Sequence, residues 1–281
     1  MTDLAALFAR PGANDIPYED PALPGRTLYL RTARPRHFTP ETPILFVHHG
    51  VNRNGDDYRD FWLKLVDEAD LVVIAPEFPT AGFPGSPWYN FGNRQDDQGR
   101  AKPRAEWTYG IPARVFAQLR AQGLTKRRGY AQFGHSAGGQ FVHRAMSLGF
   151  RDNVIAAVTA NAGTYAMPAL ETDFPFGLGD TGLDDAAFAD LLRFRLTIMA
   201  GTADVDTTSE HFPKDPTALA QGPTRYARAH RYIAAARAAA AARGIHCAWT
   251  ITDVPGVAHD GERMSIAAAP ILSAALHASS L

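Results

Sequence analysis

The sequence contains one cysteine, Cys247, in 281 residues, so no internal disulfide can form. That cysteine lies in an apolar, strand-like stretch, where a small buried side chain is common. Neither sign of charge is in excess. The 28 Lys and Arg against 29 Asp and Glu leave a formal net charge of −1, which gives no basis for binding nucleic acid or an anionic membrane surface. No apolar run approaches membrane-spanning length, and the first eight residues, Met1 to Phe8, carry neither a basic leader nor a long apolar core, so a cytoplasmic protein is the expectation. Internal repeats and dividing linkers are also missing. With 46% hydrophobic residues over this length, one domain spanning 1–281 is expected.

What the chain does contain is the stretch 129–139, Gly-Tyr-Ala-Gln-Phe-Gly-His-Ser-Ala-Gly-Gly. A short apolar run, 130–133, meets Gly134-His135-Ser136-Ala137-Gly138 and then a helix-compatible segment from 139 to 148, which reads as strand, sharp turn and helix. Glycines on both sides of Ser136 remove the Cβ atoms that would keep strand and helix apart. Such a turn lifts a serine hydroxyl above a sheet, and the helix starting there aims amide N–H groups at developing negative charge.

Along the chain, residues 1–25 carry four prolines and two glycines and are expected to form an irregular arm. Residues 27–31 alternate as an edge strand would, and 44–47 (Ile-Leu-Phe-Val) read as a central strand covered on both faces. Tyr58, Phe61, Trp62, Leu65, Val66 and Ala69 follow helical spacing, with Asn54 or Asp56 as cap. Residues 71–75 form the next buried strand, ended by Pro76. A long Gly- and Pro-rich segment, 76–107, carries Phe78, Phe83, Trp88, Tyr89 and Phe91, too aromatic for disorder. A helix follows from Ile111 to Gly123, and strands are predicted at 154–159, 195–200 and 249–252, with helices at 224–243 and 265–276. Between the middle strands, 161–194 is mixed loop and short helix, a lid or a pocket wall, with Tyr165 and Phe176 available to it. Strands alternating with helices indicate an α/β fold with a doubly wound, mostly parallel sheet, whose sites form at the carboxyl ends of strands.

A serine nucleophile needs a base, a carboxylate to orient the base, and donors for an oxyanion. Strand ends supply each. Gly201-Thr202-Ala203-Asp204-Val205-Asp206 places carboxylates just past one strand, with Asp204 the expected acid and Asp206 its competitor. His259 lies in the loop before the last helix, flanked by Asp253 and Asp260, which read as surface carboxylates. The order Ser136, Asp204, His259 is the order serine hydrolases use on this sheet. Oxyanion donors are expected from the backbone N–H of Ala137 and of Val51, where Gly50 lets the backbone turn inward. His48 and His49 are adjacent on a strand and point to opposite faces, so a shared metal ion is not expected.

With these parts in place the chain resembles an α/β-hydrolase-fold serine hydrolase over residues 27–278. The segment His49-Gly50-Val51-Asn52-Arg53-Asn54-Gly55-Asp56-Asp57-Tyr58 is similar to the corresponding turn of the polyhydroxybutyrate-depolymerase-like and feruloyl-esterase-like branch. The resemblance implies a Ser136–His259–Asp204 triad that hydrolyses a small-molecule or oligomeric carboxylic ester through an acyl-enzyme, without a cofactor. It fixes no oligomeric state. Asn52 and Arg53 are candidates either to touch substrate or to tie down the oxyanion turn, and His135 to shape the serine turn. Trp88, Tyr89 and Tyr165 are candidates for the pocket wall or for plain loop packing. Two other readings use the same residues. One is amide or peptide hydrolysis by the same triad, and the other is a binding protein that keeps the fold without turnover.

Overall fold

A computed structural model describes residues 2–279. Among the described residues, strands β1 (Gly12–Glu19), β2 (Thr27–Arg34), β3 (Ile44–His48), β4 (Val72–Glu77), β5 (Tyr130–His135), β6 (Val154–Ala160), β7 (Leu196–Gly201) and β8 (Thr250–Val254) form one sheet in the order 1-2-4-3-5-6-7-8. β1 pairs antiparallel with β2, and β2 antiparallel with β4. The pairings from β4 through β3 to β8 are all parallel. The strand with the elbow serine at its end, β5, therefore lies inside the sheet, next to β3 and β6.

The apolar runs are continuous because each strand feeds two cores. Ile44 and Phe46 of β3 and Val72 and Ile74 of β4 enter one apolar cluster, while Leu45, Val47, Val73 and Ala75 enter the other. The first cluster is covered by α3 (Ile111–Ala121), α4 (Ala137–Ser147), α5 (Asp185–Arg193) and α7 (Arg225–Ala241). The second is covered by α1 (Gly55–Asp60), α2 (Val66–Ala69) and α8 (Gly261–His277). The short α6 (Pro216–Gln221), which sequence reasoning had not anticipated, starts at Asp215, whose carboxylate accepts from Ala218 N–H at 2.9 Å.

Several expectations need correction. Residues 2–25 are not an irregular arm, since a 3₁₀ turn at Ala5–Phe8 buries Leu4, Leu7 and Phe8 against the first core and β1 follows it; Met1 lies outside the described residues. Pro17 is tolerated within β1 because that strand is the sheet edge, where a missing N–H costs no second ladder. β1 in turn covers β2, so the segment from Thr27 is not the edge. Pro76 does not end β4. β3 pairs with β4 only as far as Ile74, and Pro76 continues opposite Leu30 of β2 with one strand neighbour. The helix expected from Tyr58 to Ala69 is split into α1 and α2 by tighter turns, in which Trp62, Leu63 and Leu65 N–H donate to carbonyls three residues back. Tyr58, Trp62 and Val66 remain buried through the break.

Candidate active site

At the end of β5 the backbone turns so sharply that Ser136 adopts φ 58° and ψ −119°. The flanking glycines are required by contact. A Cβ on Gly134 would lie 2.1 Å from the Gly138 carbonyl oxygen, and one on Gly138 2.1 Å from that of His48. α4 therefore starts directly over β3 and β5, two residues earlier than the sequence indicated, with Ala137 as its first residue.

The loops after β7 and β8 bring the other two residues to the serine. His259 Nδ1 lies 2.8 Å from Asp204 Oδ2, and His259 Nε2 lies 2.9 Å from Ser136 Oγ. A carboxylate only accepts, so Nδ1 carries the proton, Nε2 is the acceptor, and the serine hydroxyl donates to it. Asp204 is 1% exposed, and its second oxygen faces Arg225 Nη1 at 3.5 Å, from the first turn of α7. Asp206 is exposed and takes both the N–H and the hydroxyl of Thr208 at 2.7 Å, so the structure brings Asp204 and not Asp206 to the histidine. Asp253 pairs with His230 at 2.8 Å, and Asp260 caps α8 by accepting from Arg263 N–H at 3.0 Å.

The acid and base loops are fastened to each other. Gly201 approaches so closely that a Cβ would lie 2.4 Å from the Val257 carbonyl oxygen, and Ala203 N–H donates to that oxygen at 2.9 Å. Asn161, at the end of β6 with φ 46°, accepts from Gly201 N–H at 2.8 Å and donates from Nδ2 to the Ala258 carbonyl at 2.9 Å. One buried side chain thus ties the strand end before Asp204 to the residue before His259. Sequence reasoning missed it, although its place immediately after a parallel strand was a usable signal.

The turn after β3 is equally fixed. His49 Nδ1–H donates to the Gly50 carbonyl at 2.8 Å, its Nε2 accepts from Phe78 N–H at 3.1 Å, and Tyr89 OH donates to the His49 carbonyl at 2.7 Å. Tyr89 is fully buried and stacks on His49, and burial raises the pKa of its hydroxyl well above the ordinary value. It braces the turn and reaches only a small cavity beside Val51 and Ala137. Arg53 donates to the carbonyls of Phe78 (3.0 Å) and Gly85 (2.9 Å) and lies over Tyr89, which makes it a tie for the turn. Asn52 is exposed and borders the cavity at Ser136. The backbone N–H groups of Val51 and Ala137 donate to no acceptor among the described residues.

His48 and His49 do have separate partners. His48 stacks on Phe141 and bonds Gln132 Oε1 at 3.0 Å, and burial lowers the pKa of each of the two histidines to about 3. His135 is bonded through Nδ1 to Tyr58 OH at 2.7 Å, and its ring lies 4.7 Å from that of His259. Burial first, then electrostatic coupling to His259 and the charge of Arg225, hold its pKa well below the ordinary value. A Cβ on Gly50 or Gly261 would lie about 3 Å from the Tyr58 hydroxyl, which thus fills the space between the oxyanion turn, the serine turn and the start of α8.

Of the residues read as either pocket wall or loop packing, two take the packing role or lie away from Ser136. Tyr165 is fully buried, stacked on Tyr232 behind the wall. Trp88 is half-buried between Arg26 and Lys102, at 3.6 Å and 4.2 Å from its ring centroid, and borders an outer groove with Phe91 and Phe174. Segment 161–194 contributes Gly163, Thr164 and Phe176 to the cavity beside Ser136. Among the described residues no cluster of three His, Cys, Asp or Glu side chains could hold a metal ion, and no helix is long and apolar enough to cross a membrane.

No protein-family model matches the chain, and neither does any curated protein. Solved structures do. LpqC, a poly(3-hydroxybutyrate) depolymerase from Bordetella parapertussis, is 43% identical over 93% of this chain and 90% of its own, with a TM-score of 0.88. Poly(aspartic acid) hydrolase-1 from Sphingomonas sp. KT-1 is 38% identical over 94% of this chain and 99% of its own, with a TM-score of 0.89. An S-formylglutathione hydrolase from Agrobacterium tumefaciens shares the fold at 16% identity and a TM-score of 0.55. Identity at the first two levels, sustained along nearly the whole of both chains, is that of common descent with retained architecture. The chain belongs to the α/β-hydrolase-fold serine hydrolases, in the family of the poly(3-hydroxybutyrate) depolymerase and the poly(aspartic acid) hydrolase.

Proposed function

We propose that this protein hydrolyses carboxylic esters with Ser136, His259 and Asp204 as its triad. The observation that carries the reading is the unbroken line of hydrogen bonds from Asp204 through His259 to Ser136, at 2.8 Å and 2.9 Å. Ser136 Oγ attacks the acyl carbon while its proton passes to His259 Nε2. Asp204 holds the Nδ1–H and stabilises the imidazolium that results. The free N–H groups of Val51 and Ala137 donate to the tetrahedral oxyanion. When the intermediate collapses, His259 Nε2–H protonates the departing alkoxide oxygen. Water then attacks the acyl-enzyme, giving its proton to the same nitrogen, and the acid leaves with Ser136 restored. The substrate is a small-molecule or oligomeric ester.

A fluorophosphonate tests the mechanism. Intact-mass spectrometry and peptide mapping should find one adduct, on Ser136, formed quickly in the wild type and slowly in His259→Ala. Ser136→Ala should fold normally and lose turnover by about 10⁴-fold or more. Retained ester hydrolysis in that variant removes the mechanism, and absence of any adduct on folded protein favours a binding protein. The 38% identity to a poly(aspartic acid) hydrolase supports a second reading, amide hydrolysis by the same residues, in which His259 protonates a departing amine. Ester and amide substrates with the same acyl group separate the two.

A further inference from the structure

The Ser136 hydroxyl stands between two cavities. One, of about 240 Å³, is bordered by His259, Asn52 and Tyr58, and the other, of about 220 Å³, by Ala137, Gln140, Thr164 and Phe176 but not by His259. If His259 protonates the departing oxygen, the leaving group must lie in the first cavity and the acyl chain in the second.

Behind the second cavity sits a buried charge. Arg144 is fully buried and meets no carboxylate among the described residues. It donates to Gln140 Oε1 at 2.7 Å, Thr164 Oγ1 at 3.1 Å, and the carbonyls of Asn90 and Pro175 at 3.2 Å and 3.3 Å. Burial lowers its pKa to about 10, which still leaves it charged at neutral pH. A guanidinium has donors only, so the Gln140 atom that faces it must be the oxygen. Asn90 Nδ2 donates to the same oxygen at 2.9 Å. The Gln140 amide is held one way round, and its Nε2 donates to no acceptor among the described residues. That nitrogen lies against Gly163, where a Cβ would be 2.9 Å away. Gln140 also stands one helical turn from the nucleophile, its backbone N–H donating to the Ser136 carbonyl at 3.0 Å.

We propose that Gln140 is a specificity-determining residue whose amide, oriented by Arg144, donates an N–H to an oxygen on the acyl chain. Hydroxyacyl and oxoacyl esters are then selected over plain alkanoyl esters. Of the other polar groups of the wall, the Asn90 amide nitrogen and Thr164 hydroxyl are engaged with Gln140 and Arg144, Asp215 with Ala218 N–H, and Arg225 with Asp204, while the Ser86 hydroxyl and the His211 ring also border the cavity. The assignment rests on the ester-hydrolase reading given above.

Esters of one alcohol with 3-hydroxybutanoic and 3-methylbutanoic acid form a matched pair, differing by a hydroxyl for a methyl at one carbon. The wild type should favour the hydroxy ester in kcat/KM by about tenfold, the effect of one hydrogen bond. Gln140→Glu keeps an oxygen for Arg144, gives that cation a counter-ion and turns the free donor into an acceptor, so the preference should vanish or invert. Gln140→Met, which removes both polar atoms at similar volume, should bring the ratio near unity. An unchanged ratio in both variants overturns the proposal while leaving the hydrolase reading intact. Failure of the wild type to hydrolyse either ester overturns the ester-hydrolase reading and the subsite with it.

Discussion

Asn161 offers a quantitative test of how the base is held. Its side chain makes two hydrogen bonds, to Gly201 N–H at 2.8 Å and to the Ala258 carbonyl at 2.9 Å, and it is 2% exposed at φ 46°. Asn161→Gly removes both bonds without penalising the left-handed backbone, which glycine adopts freely. The Gly201 N–H is fully buried and loses its partner, at a cost of about 1–3 kcal/mol, whereas the partly exposed Ala258 carbonyl loses nearer 1 kcal/mol. Together they come to roughly 2–4 kcal/mol, or a fall in Tm of about 4–8 °C for a chain of this size. The loop that carries His259 keeps its Ala203–Val257 bond to the acid loop but loses the tie at Ala258, the residue next to the base. A base displaced by about 1 Å slows chemistry by about 100-fold, so kcat should drop by about 10- to 100-fold with KM within about twofold. Urea unfolding and steady-state kinetics on one activated ester measure both quantities. A loss of stability of the expected size with kcat unchanged would refute the claim that Asn161 positions the base, because the fold alone would then depend on it.

The acid is assigned by comparing neighbours. Asp204→Asn should lower kcat by about 10⁴-fold, while Asp206→Asn, at an exposed side chain bound only to Thr208, should change it by less than about twofold; the reverse order would transfer the role. Stability should also depend on pH. His48 and His49 have folded-state pKa values lowered to about 3 by burial, against about 6.5 when unfolded, so only the unfolded chain takes up their protons as pH falls below 6.5. Stability is full above that value and is lost progressively below it, by about 2–3 kcal/mol for the pair between pH 7.5 and 5.5. His135 and His143, also buried and lowered, act in the same direction. Equal unfolding midpoints at the two pH values would mean these histidines are not buried in neutral form.

The hydrogen-bonded arrangement of Ser136, His259 and Asp204 was legible because its parts are local in sequence: each lies within a few residues of the end of a strand whose apolar run identifies it. What was not legible depended on neighbours remote in sequence. Prolines in 1–25 argue for an irregular arm until β1 is known to lie at the edge, and only the completed strand order tells that. Tyr165 reads equally as pocket wall or loop packing until Tyr232, 67 positions later, is seen to cover it at 4.4 Å. The split of α1 from α2 leaves the helical spacing of buried residues intact, so periodicity could not reveal it.

The arginines show a further limit, and a signal that was present. The chain has 24 arginines and four lysines. Long irregular segments such as 78–110 and 161–183 carry main-chain carbonyls that no ladder satisfies, and burying those carbonyls without donors is costly. A guanidinium has five donors in a rigid fork and can meet several carbonyls at once, which a lysine ammonium cannot do with the same fixed geometry. Arg228 donates to the carbonyls of Gly222, Gly163 and Pro213, Arg53 to those of Phe78 and Gly85, and Arg144 to those of Asn90 and Pro175. Read one residue at a time, these arginines resemble solvated surface charge. Set beside the length of irregular chain to be buried, the ratio of arginine to lysine points to interior donors. The same requirement accounts for a buried cation behind the cavity beside Ser136: Arg144 pins loops 90 and 175, and its remaining donor capacity fixes the orientation of the Gln140 amide.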